Sequence, residues 1–466
     1  MLEIVEADYV VVGAGAAGMA FTDTLIRQTN ATVAIIDRQH KPGGHWNDAY
    51  PFVRLHIPSH YYGVESTPLG SMSIQRGGLS DGLLHMASST EILAYYEHVM
   101  ENVLLASGRV TYLPMTEFDG RETARSLVSG RPHRVVARKR IVDATFSDTQ
   151  IPLTHKRGYS VSEDVACVPI NDLAVLSRPW RNYCIIGSGK TGIDACLWLL
   201  SRGVDPDRIR WIAPHEAWWF NRAKVQFSEA FFEDTLTFLA EQMEAASEAT
   251  SAEDLFSRFE ALGICFRLDP AVTPAIFRSA TVSEAELHQL RRIQDVVRMG
   301  RVRSITSDEI ELEKGSLSAT RDCLYIDCSA AGLTLRAGRP IFEPERITIQ
   351  YVRAILPCLS AAAIAFIEAN FKDDGEKNHL CTPMPLPREF GHWARMMLAS
   401  LQNQTRWSAH PDLMRWTAEC RLDGVAVMIN GVKDDEAGRR SMVKRARNAT
   451  RAGFANMPNL LSTKIV

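Results

Sequence analysis

The chain has 466 residues, of which 46% are hydrophobic and 23% are charged, a composition typical of globular proteins. Its length exceeds what one ordinary hydrophobic core supports, so we expect two domains, or one domain inserted in another. The 52 Lys and Arg residues against 55 Asp and Glu give a net charge of -3, which provides no basic field for a phosphate backbone or an anionic bilayer, and nucleic acid is not an expected partner.

The cysteines and the apolar segments point to a cytoplasmic protein. The nine cysteines show no short paired spacing, so we expect reduced thiols rather than a disulfide framework or a metal cluster. The first predicted strand begins at Ala7, which leaves no room for a signal peptide before it. The most apolar later run, residues 354–367, is shorter than the roughly 20 residues of a spanning helix. We predict a buried helix there and no transmembrane segment.

The first predicted element is a strand, ADYVVV, that leads into a helix through Gly13, Gly15 and Gly18. In this pattern the first glycine permits a tight turn, the second lets a pyrophosphate approach the backbone, and the third lets the helix pack on the strand. The next strand, ATVAIID, ends at Asp37, whose carboxylate could accept hydrogen bonds from both hydroxyls of an adenosine ribose. The segment therefore predicts a dinucleotide-binding Rossmann unit.

Residues 43–59, GGHWNDAYPFVRLHIPS, are rich in groups that could contact a cofactor. Each aromatic residue could instead be an ordinary core residue, the arginine could cap a local carboxylate, and the histidines are spaced too irregularly for metal ligands. The combination so close behind a dinucleotide turn exceeds what packing requires. We predict that Gly44, His45 and Trp46 line the cofactor and that Arg54 and His56 face the reacting centre.

A second glycine turn, NYCIIGSGKTGID, repeats the arrangement with Gly187, Gly189 and Gly192. The letters GKT suggest a phosphate loop for nucleotide hydrolysis, but that loop needs a glycine five residues before Gly189, where Cys184 stands. The sequence therefore predicts a second dinucleotide unit, and not a nucleotide hydrolase.

The strand that follows the second turn, RIRWI, ends without an acid to bind a ribose. Three cations, Lys190, His215 and Arg222, lie in this part of the sequence and could face a ribose phosphate. This favours NADPH over NADH, and we predict Lys190 and Arg222 as cofactor-binding residues.

Taken together, these motifs resemble the two-dinucleotide-binding-domain flavoproteins, specifically the flavin-dependent monooxygenases that include Baeyer–Villiger, N-hydroxylating and flavin-containing monooxygenases. The matching segments are the first glycine turn with its acid, GGHW, YPFVRLHIPS and the second glycine turn. The resemblance extends to about residue 335. It implies FAD at the first turn, with the glycines and the tryptophan of GGHW along the flavin, and NADPH at the second turn.

Two departures from the related families bear on the reaction. The disulfide reductases carry a cysteine pair after the first acid, whereas RQHKPGGHWNDAY contains none. Cys323 and Cys328 lie five apart on a predicted strand, so we expect their side chains to face opposite ways. The monooxygenase fingerprint is altered, because Asp148 replaces its glycine and His155 comes three residues late.

The organisation predicted from these motifs is α/β, an FAD-binding Rossmann-like domain with an inserted NAD(P)-binding Rossmann-like domain. We place the first part of the FAD domain at residues 1–174, the insert at 175–320, and the second part, with substrate-side elements, at 321–466. Helical spacing predicts acidic-faced helices over 227–263. Residues 375–387, GEKNHLCTPMPLP, are predicted as a rigid irregular loop with a buried, inert Cys381. The tail KRARNATRAGF is predicted as a solvated helix face.

The sequence thus predicts an NADPH-dependent FAD monooxygenase that transfers one oxygen atom from a flavin hydroperoxide to a small organic substrate. His56 stands where Baeyer–Villiger enzymes carry an aspartate, so heteroatom or carbon hydroxylation is favoured over ester formation. The expected partners are the substrate and molecular oxygen, and a homodimer is left open. Two alternatives remain: an FAD-dependent dehydrogenase or oxidase without oxygen insertion, and a non-enzymatic flavin-binding regulator.

Overall fold

A computed structural model describes residues 3–462, and the chain begins with a parallel sheet built around the first glycine turn. The elements of this part are β1 (Glu3–Val12), α1 (Ala16–Gln28), β2 (Val33–Ile36), α2 (Ser89–Val99), β3 (Val110–Leu113), β4 (Thr116–Phe118), β5 (Thr123–Ser126), β6 (Pro132–Asp143), β7 (Thr149–Gln150), β8 (Ser160–Val161) and β9 (Cys167–Pro169).

The middle part of the chain repeats the same strand, turn and helix arrangement. Its elements are β10 (Asn182–Ile186), α3 (Lys190–Ser201), β11 (Ile209–Ile212), β12 (Ala217–Asn221), α4 (Phe232–Glu248), α5 (Ala252–Ala261), β13 (Cys265–Phe266), β14 (Ile276–Val282), α6 (Glu284–Leu290), β15 (Asp295–Val297), β16 (Val302–Ile305), β17 (Glu309–Leu312), β18 (Gly315–Ser318) and β19 (Cys323–Asp327).

The last part of the chain is mainly helical. Its elements are β20 (Gly332–Leu333), β21 (Phe342–Glu343), β22 (Arg346–Thr348), α7 (Pro357–Asn370), α8 (Asp374–Leu380), α9 (His392–Trp407), α10 (Pro411–Glu419), α11 (Gly424–Asn430) and α12 (Ala437–Ser462).

Two parallel sheets carry the two glycine turns. In the first sheet the order is β21-β22-β6-β1-β2-β3, in which the edge strand β21 is antiparallel to β22, and the antiparallel β5 and β4 are added at β6. In the second the order is β15-β11-β10-β19-β9, and every pair is parallel. β1 and β10 are both flanked by the strand after the first helix and by a later strand. The predicted α/β architecture with two Rossmann-like units is confirmed.

The strands also show where the chain passes between the two units. β9 and β19 belong to the second sheet, although they lie outside the span 175–320 predicted for the insert. Between the two sheets, β7 on the outgoing segment pairs antiparallel with β20 on the returning segment. The chain therefore enters and leaves the second unit through two adjacent segments.

The helices follow the sequence pattern with one exception. α4 and α5 occupy the span predicted as helical, and α7 is buried along almost its whole length against α1. α12 packs on α4 through Val443, Ala446 and Ala449, while Lys444 and Arg447 are exposed, as predicted for the basic tail. The exception is the predicted irregular loop 375–387, whose first half forms α8 because Asp373 caps that helix through the backbone N–H of Glu376. Across residues 3–462, no helix is long and apolar enough to cross a membrane.

Candidate active site

The first glycine turn joins β1 to α1 and is built for close backbone approach. Gly13 has a φ of 104°, in the region that favours glycine. A Cβ on Gly18 would overlap the carbonyl oxygen of Gly13, so only glycine lets α1 begin this close to the turn. No side chain caps α1 at Gly15. The N-terminus of α1 can therefore face an anion.

Asp37 braces this turn from the end of β2. Its carboxylate accepts hydrogen bonds from the backbone N–H groups of Ala14 and of Gln39, the latter at 2.6 Å. Burial raises the pKa of Asp37, and these two hydrogen bonds act in the opposite direction. Each carboxylate oxygen has a further lone pair. The ribose contact of Asp37 stays a prediction that this geometry allows.

The segment GGHW lies directly on the first turn. The backbone N–H of Gly43 donates to the carbonyl of Ala14 at 2.9 Å, and a Cβ on Gly44 would come within 3.0 Å of the Cα of Gly15. The Trp46 indole N–H donates to the Tyr62 hydroxyl at 2.8 Å. The two glycine backbones thus face each other beside a fixed tryptophan.

His45 is packed beside Trp46, with 5.2 Å between the ring centroids. Burial lowers the pKa of His45 to about 4, and the neighbouring Asp48 opposes this only in part. His45 is therefore neutral near pH 7.

Arg54 and His56 face different surroundings. Arg54 is exposed, donates to the Met86 carbonyl at 3.0 Å, and its charge acts on Glu91. Asp48, the carboxylate that Arg54 could have capped, accepts instead from the Gln39 amide at 2.7 Å. The structure does not bring Arg54 and His56 to one point, and the catalytic role of Arg54 stays a prediction.

His56 lies between the two units and close to the second turn. Its backbone carbonyl accepts from the Thr281 hydroxyl. Burial lowers the pKa of His56 to about 3, and the charges of Lys190 and Arg222 act in the same direction. The ring is neutral near pH 7, and its buried Nδ1 has no hydrogen-bond partner among the described residues.

The second glycine turn has the same geometry as the first. Gly187 has a φ of 123°, and a Cβ on Gly192 would overlap the Gly187 carbonyl oxygen. A Cβ on Gly189 would meet no atom within 4 Å. α3 begins next, at Lys190, without a side-chain cap. This turn therefore leaves open space at a helix N-terminus.

Lys190 connects the second turn to the first unit. Its ammonium group forms an ion pair with Asp194, one turn along α3. The Tyr50 hydroxyl, from the segment after GGHW, donates to the same carboxylate at 2.6 Å. Burial raises the pKa of Tyr50 well above its usual range, and the charge of Asp194 adds to this. Part of the positive charge of Lys190 is thus neutralised inside the protein.

The Arg222 side chain is buried and takes part in an ion pair and several hydrogen bonds. Its guanidinium is 2% exposed, lies 2.7 Å from the Glu286 carboxylate, and donates to the hydroxyl and carbonyl of Thr281. A further contact reaches Ser80, in a loop of the first unit. The structure therefore places Arg222 at the junction of the two units, and its contact with a cofactor stays a prediction.

A cluster of cations after β11 was not predicted. His215 follows β11 by three residues, and burial lowers its pKa together with the positive charges of Arg301, Arg278 and Arg388. Burial lowers the pKa of Arg278, and Arg388 and Arg301 add to the shift. The carboxylate of Glu313 acts on His215 in the opposite direction and offsets part of this positive charge. Only His215 lies near a recognisable motif, so sequence spacing could not reveal that the three arginines act on it.

The altered fingerprint also forms a contact that the sequence did not suggest. The His155 ring lies 2.7 Å from the Asp327 carboxylate, and both side chains are buried. Asp327 also accepts from the backbone N–H of Ser329, just as Asp143 does from Thr145. The recurring pattern of an aspartate two residues before Ser or Thr could have revealed that β6 and β19 are equivalent strands.

The cysteines and metal-ligating side chains form no further centre in the described part of the chain. All nine cysteines are free and eight are buried. Burial raises the pKa of the Cys381 thiol. Across residues 3–462, no group of three or more His, Cys, Asp and Glu side chains could hold a metal ion.

Two Rossmann-like units, each with a glycine turn at a helix N-terminus, define a protein of the two-dinucleotide-binding-domain fold. Residues 11–67 match the family described as an NAD(P)-binding Rossmann-like domain. The chain belongs to the family of the Mycobacterium tuberculosis protein Rv2000, with 45% identity over 425 residues that cover 91% of this chain and 79% of that protein. The Mycobacterium bovis protein Mb2023 matches with the same identity and coverage. Both relatives carry the description "uncharacterized protein".

Solved structures of monooxygenases are also similar to this chain. A flavin-containing monooxygenase from Stenotrophomonas maltophilia is 15% identical with a TM-score of 0.45, covering 78% of this chain and 98% of that one. A cyclohexanone monooxygenase from Rhodococcus sp. Phi1 bound to NADP+ is 11% identical with a TM-score of 0.47, covering 97% of this chain and 99% of that one.

Proposed function

We propose that this protein is an NADPH-dependent FAD monooxygenase that inserts one atom of molecular oxygen into a small organic substrate. The observation that carries the proposal is the pair of glycine turns. The first turn lies against GGHW, and the second leaves open space at the N-terminus of α3. A single dinucleotide would need only one of them. Two turns in one chain fit a flavin that stays bound and a nicotinamide that reduces it.

The first turn suits FAD. Gly15 and Gly44 present two backbones with no side chain between them, which is the kind of surface that a pyrophosphate needs. Asp37 has lone pairs for a ribose, and Trp46 offers an aromatic face beside the turn. The matched family is described by NAD(P) rather than FAD. Our assignment of FAD to this turn rests on GGHW, whose glycines and tryptophan resemble those along a flavin.

The second turn suits NADPH. The open space at Gly189 and the N-terminus of α3 can receive a pyrophosphate. The cluster of His215, Arg278, Arg301 and Arg388 follows β11, where the ribose of a nucleotide lies in such folds. A phosphate dianion on that ribose would offset the repulsion among these cations. NADH would not.

When bound, FAD would accept a hydride from the nicotinamide and activate oxygen. The electron balance is closed: NADPH supplies two electrons, one oxygen atom enters the product, and the other leaves as water after taking up protons. The chain's own residues position the two cofactors and exclude water. His56, half-buried and neutral beside the second turn, offers a buried Nδ1 without a partner among the described residues to a group at this junction.

We favour hydroxylation of carbon or of a heteroatom over Baeyer–Villiger oxidation. Ester formation in the families that this chain resembles relies on an aspartate at the position of His56. A neutral histidine cannot supply that negative charge. Arg54 is exposed and donates to the Met86 carbonyl, so among the described residues it has no hydrogen bond to a carboxylate near the proposed flavin site.

The first experiment mixes the purified protein with NADPH, and separately with NADH, without oxygen, and follows flavin absorbance. We expect NADPH to bleach the flavin faster. Candidate substrates are then turned over under ¹⁸O₂. Label in the organic product supports the monooxygenase, label only in water or peroxide would instead identify an oxidase, and substrate oxidation without consumption of ¹⁸O₂ would identify a dehydrogenase. Failure of both nucleotides to reduce bound flavin would favour a flavin-binding regulator.

A further inference from the structure

The segment from His60 to Thr67, called here the 60–67 segment, lies between the first site and the rest of the molecule. On one side the Tyr62 hydroxyl accepts the hydrogen bond of the Trp46 indole. On the other side Tyr61 lies against Gly424, where a Cβ would overlap its ring, and 6.4 Å from the ring of Phe227. Its conformation therefore sets the position of a residue in the proposed flavin site.

The carbonyl groups of the 60–67 segment converge on one guanidinium group. Arg421, in the loop between α10 and α11, lies within hydrogen-bond distance of five backbone carbonyls. They belong to His60, Tyr62 (3.3 Å), Val64, Glu65 (3.1 Å) and Thr67 (2.6 Å). One side chain thus contacts five of the eight backbone carbonyls of the segment.

This arrangement has a specific chemical requirement. The carbonyls of an irregular, partly buried segment need donors from outside it, and Arg421 supplies most of them, while the Thr67 carbonyl also accepts from the Tyr95 hydroxyl at 2.7 Å. A guanidinium group offers five N–H donors in one plane, whereas an ammonium group offers three from a single atom. Lysine at position 421 could satisfy only part of this set.

Other contacts hold the ends of the same segment without replacing Arg421. The Trp416 indole donates to the Glu65 carboxylate at 3.1 Å, and the Ser66 hydroxyl donates to Asp23 at 2.6 Å. The backbone N–H groups of Gly63 and Val64 are held separately, by the Cys358 thiol and by the Tyr95 hydroxyl at 2.8 Å. Arg421 differs from these partners because it contacts the carbonyl groups on both sides of Tyr62.

We propose that Arg421 is a positioning residue for the flavin site: it orders the 60–67 segment, through which Tyr62 fixes Trp46. The inference rests on the proposed function, because it assumes that Trp46 contacts FAD. It makes the loop after α10, which is far from the first glycine turn in sequence, necessary for tight flavin binding.

The test uses the full-length protein with Arg421→Lys, and Arg406→Lys as a matched control. Arg406 also lies partly buried among the C-terminal helices, where it donates to His379, Thr382 and Asn403 without touching the 60–67 segment. Two readouts are taken: amide hydrogen exchange of the 60–67 segment in the FAD-free protein, and the Kd for FAD from Trp and flavin fluorescence.

We expect Arg421→Lys to raise the Kd for FAD about tenfold or more, because hydrogen bonds from a charged donor are lost. Exchange at Gly63 and Val64 should accelerate as well, because a segment without Arg421 would hold their hydrogen bonds to Cys358 and Tyr95 less firmly. Arg406→Lys should leave both unchanged. A second variant, Tyr62→Phe, removes the hydroxyl that contacts Trp46 and Tyr96 but leaves the carbonyls bound by Arg421 in place, so it should weaken FAD binding without accelerating exchange.

The outcomes separate this inference from the function on which it rests. A wild-type protein that binds no FAD overturns both. Tight FAD binding by the wild type, retained within twofold by a folded Arg421→Lys protein, overturns only the role of Arg421. Accelerated exchange with unchanged FAD affinity also overturns it, because the segment would then be ordered for another purpose.

Discussion

The buried ion pair between Arg222 and Glu286 provides a sharp test of how the two units are held together. Glu286 lies on α6, and its carboxylate is 2.7 Å from the Arg222 guanidinium, which is 2% exposed. The same carboxylate accepts from the backbone N–H of Ser283 and so caps α6. Glu286→Gln keeps a cap oxygen of the same shape and removes only the charge. The substitution therefore isolates the ion pair from the capping interaction.

The expected cost follows from the surroundings of Arg222. Removing one partner of a buried pair typically costs about 3–5 kcal/mol, because the other charge stays buried without compensation. Arg222 would keep its contacts with Thr281 and Ser80, which offset part of this cost. We therefore expect the lower end, about 3 kcal/mol of unfolding free energy at pH 7.

The pH dependence has a definite sign. Burial alone would raise the pKa of Glu286, but Lys190 and Arg222 outweigh it and hold that pKa below its usual value. A carboxyl group with a depressed pKa in the folded state stabilises the protein above its unfolded pKa, and this contribution is lost as the pH falls. The difference between wild type and Glu286→Gln should therefore shrink under acidic conditions.

Urea unfolding followed by tryptophan fluorescence measures this difference, since Trp211, Trp218 and Trp219 all lie in the second unit. Glu284→Gln is the matched control, because Glu284 occupies the first turn of the same helix but is exposed. Equal unfolding curves for Glu286→Gln and the control at pH 7 would refute the reasoning. So would a difference that grows as the pH is lowered.

Three further predictions test the two cofactor turns and His56. Gly44→Ala adds a side chain at a residue with a φ of 57° and directs it toward Gly15. FAD affinity, measured by flavin fluorescence, should therefore fall about tenfold. An affinity within twofold of wild type would contradict the assigned contact. Arg278→Gln combined with Arg388→Gln should raise the KM for NADPH about tenfold and leave that for NADH unchanged, and an equal rise in both would exclude a phosphate contact. The pKa of His56 is about 3 in the folded protein and 6.5 in the unfolded chain. The unfolding free energy should therefore fall as the pH decreases through this window. His56→Asn should flatten this pH dependence, and an unchanged slope would contradict the lowered pKa of His56.

The two glycine turns could be predicted because each is encoded locally. A continuous apolar strand, glycines at fixed spacing and a following helix lie within about twenty residues, so no distant contact is needed to recognise them. The two boundaries of the inserted unit could not be predicted as closely. β9 and β19 are short strands that become recognisable only through their pairing in the second sheet.

The contacts of the site could not be predicted because they join residues distant in sequence. His56 has an ordinary neighbourhood in the sequence, yet the fold places it near Lys190, Arg222 and Glu286. Arg421 stands in an unremarkable turn, and only the folded chain brings the five carbonyls to it. Residue type and spacing therefore indicated which chemistry to expect, but not which side chains surround it.

The attachment of the second unit has a consequence for its motion. It is joined to the first unit through β7 and β20, and it is also covered by α12, which packs on α4. Any rotation of the second unit about its connecting segments must therefore carry α12 with it or separate α12 from α4. The loop of Arg421 would stay behind, because its neighbours Trp416, Cys420 and Leu422 lie in the core of the first unit. The C-terminal helices are thus divided between the two units, and such a rotation would have to be accommodated in the chain between Leu422 and α12.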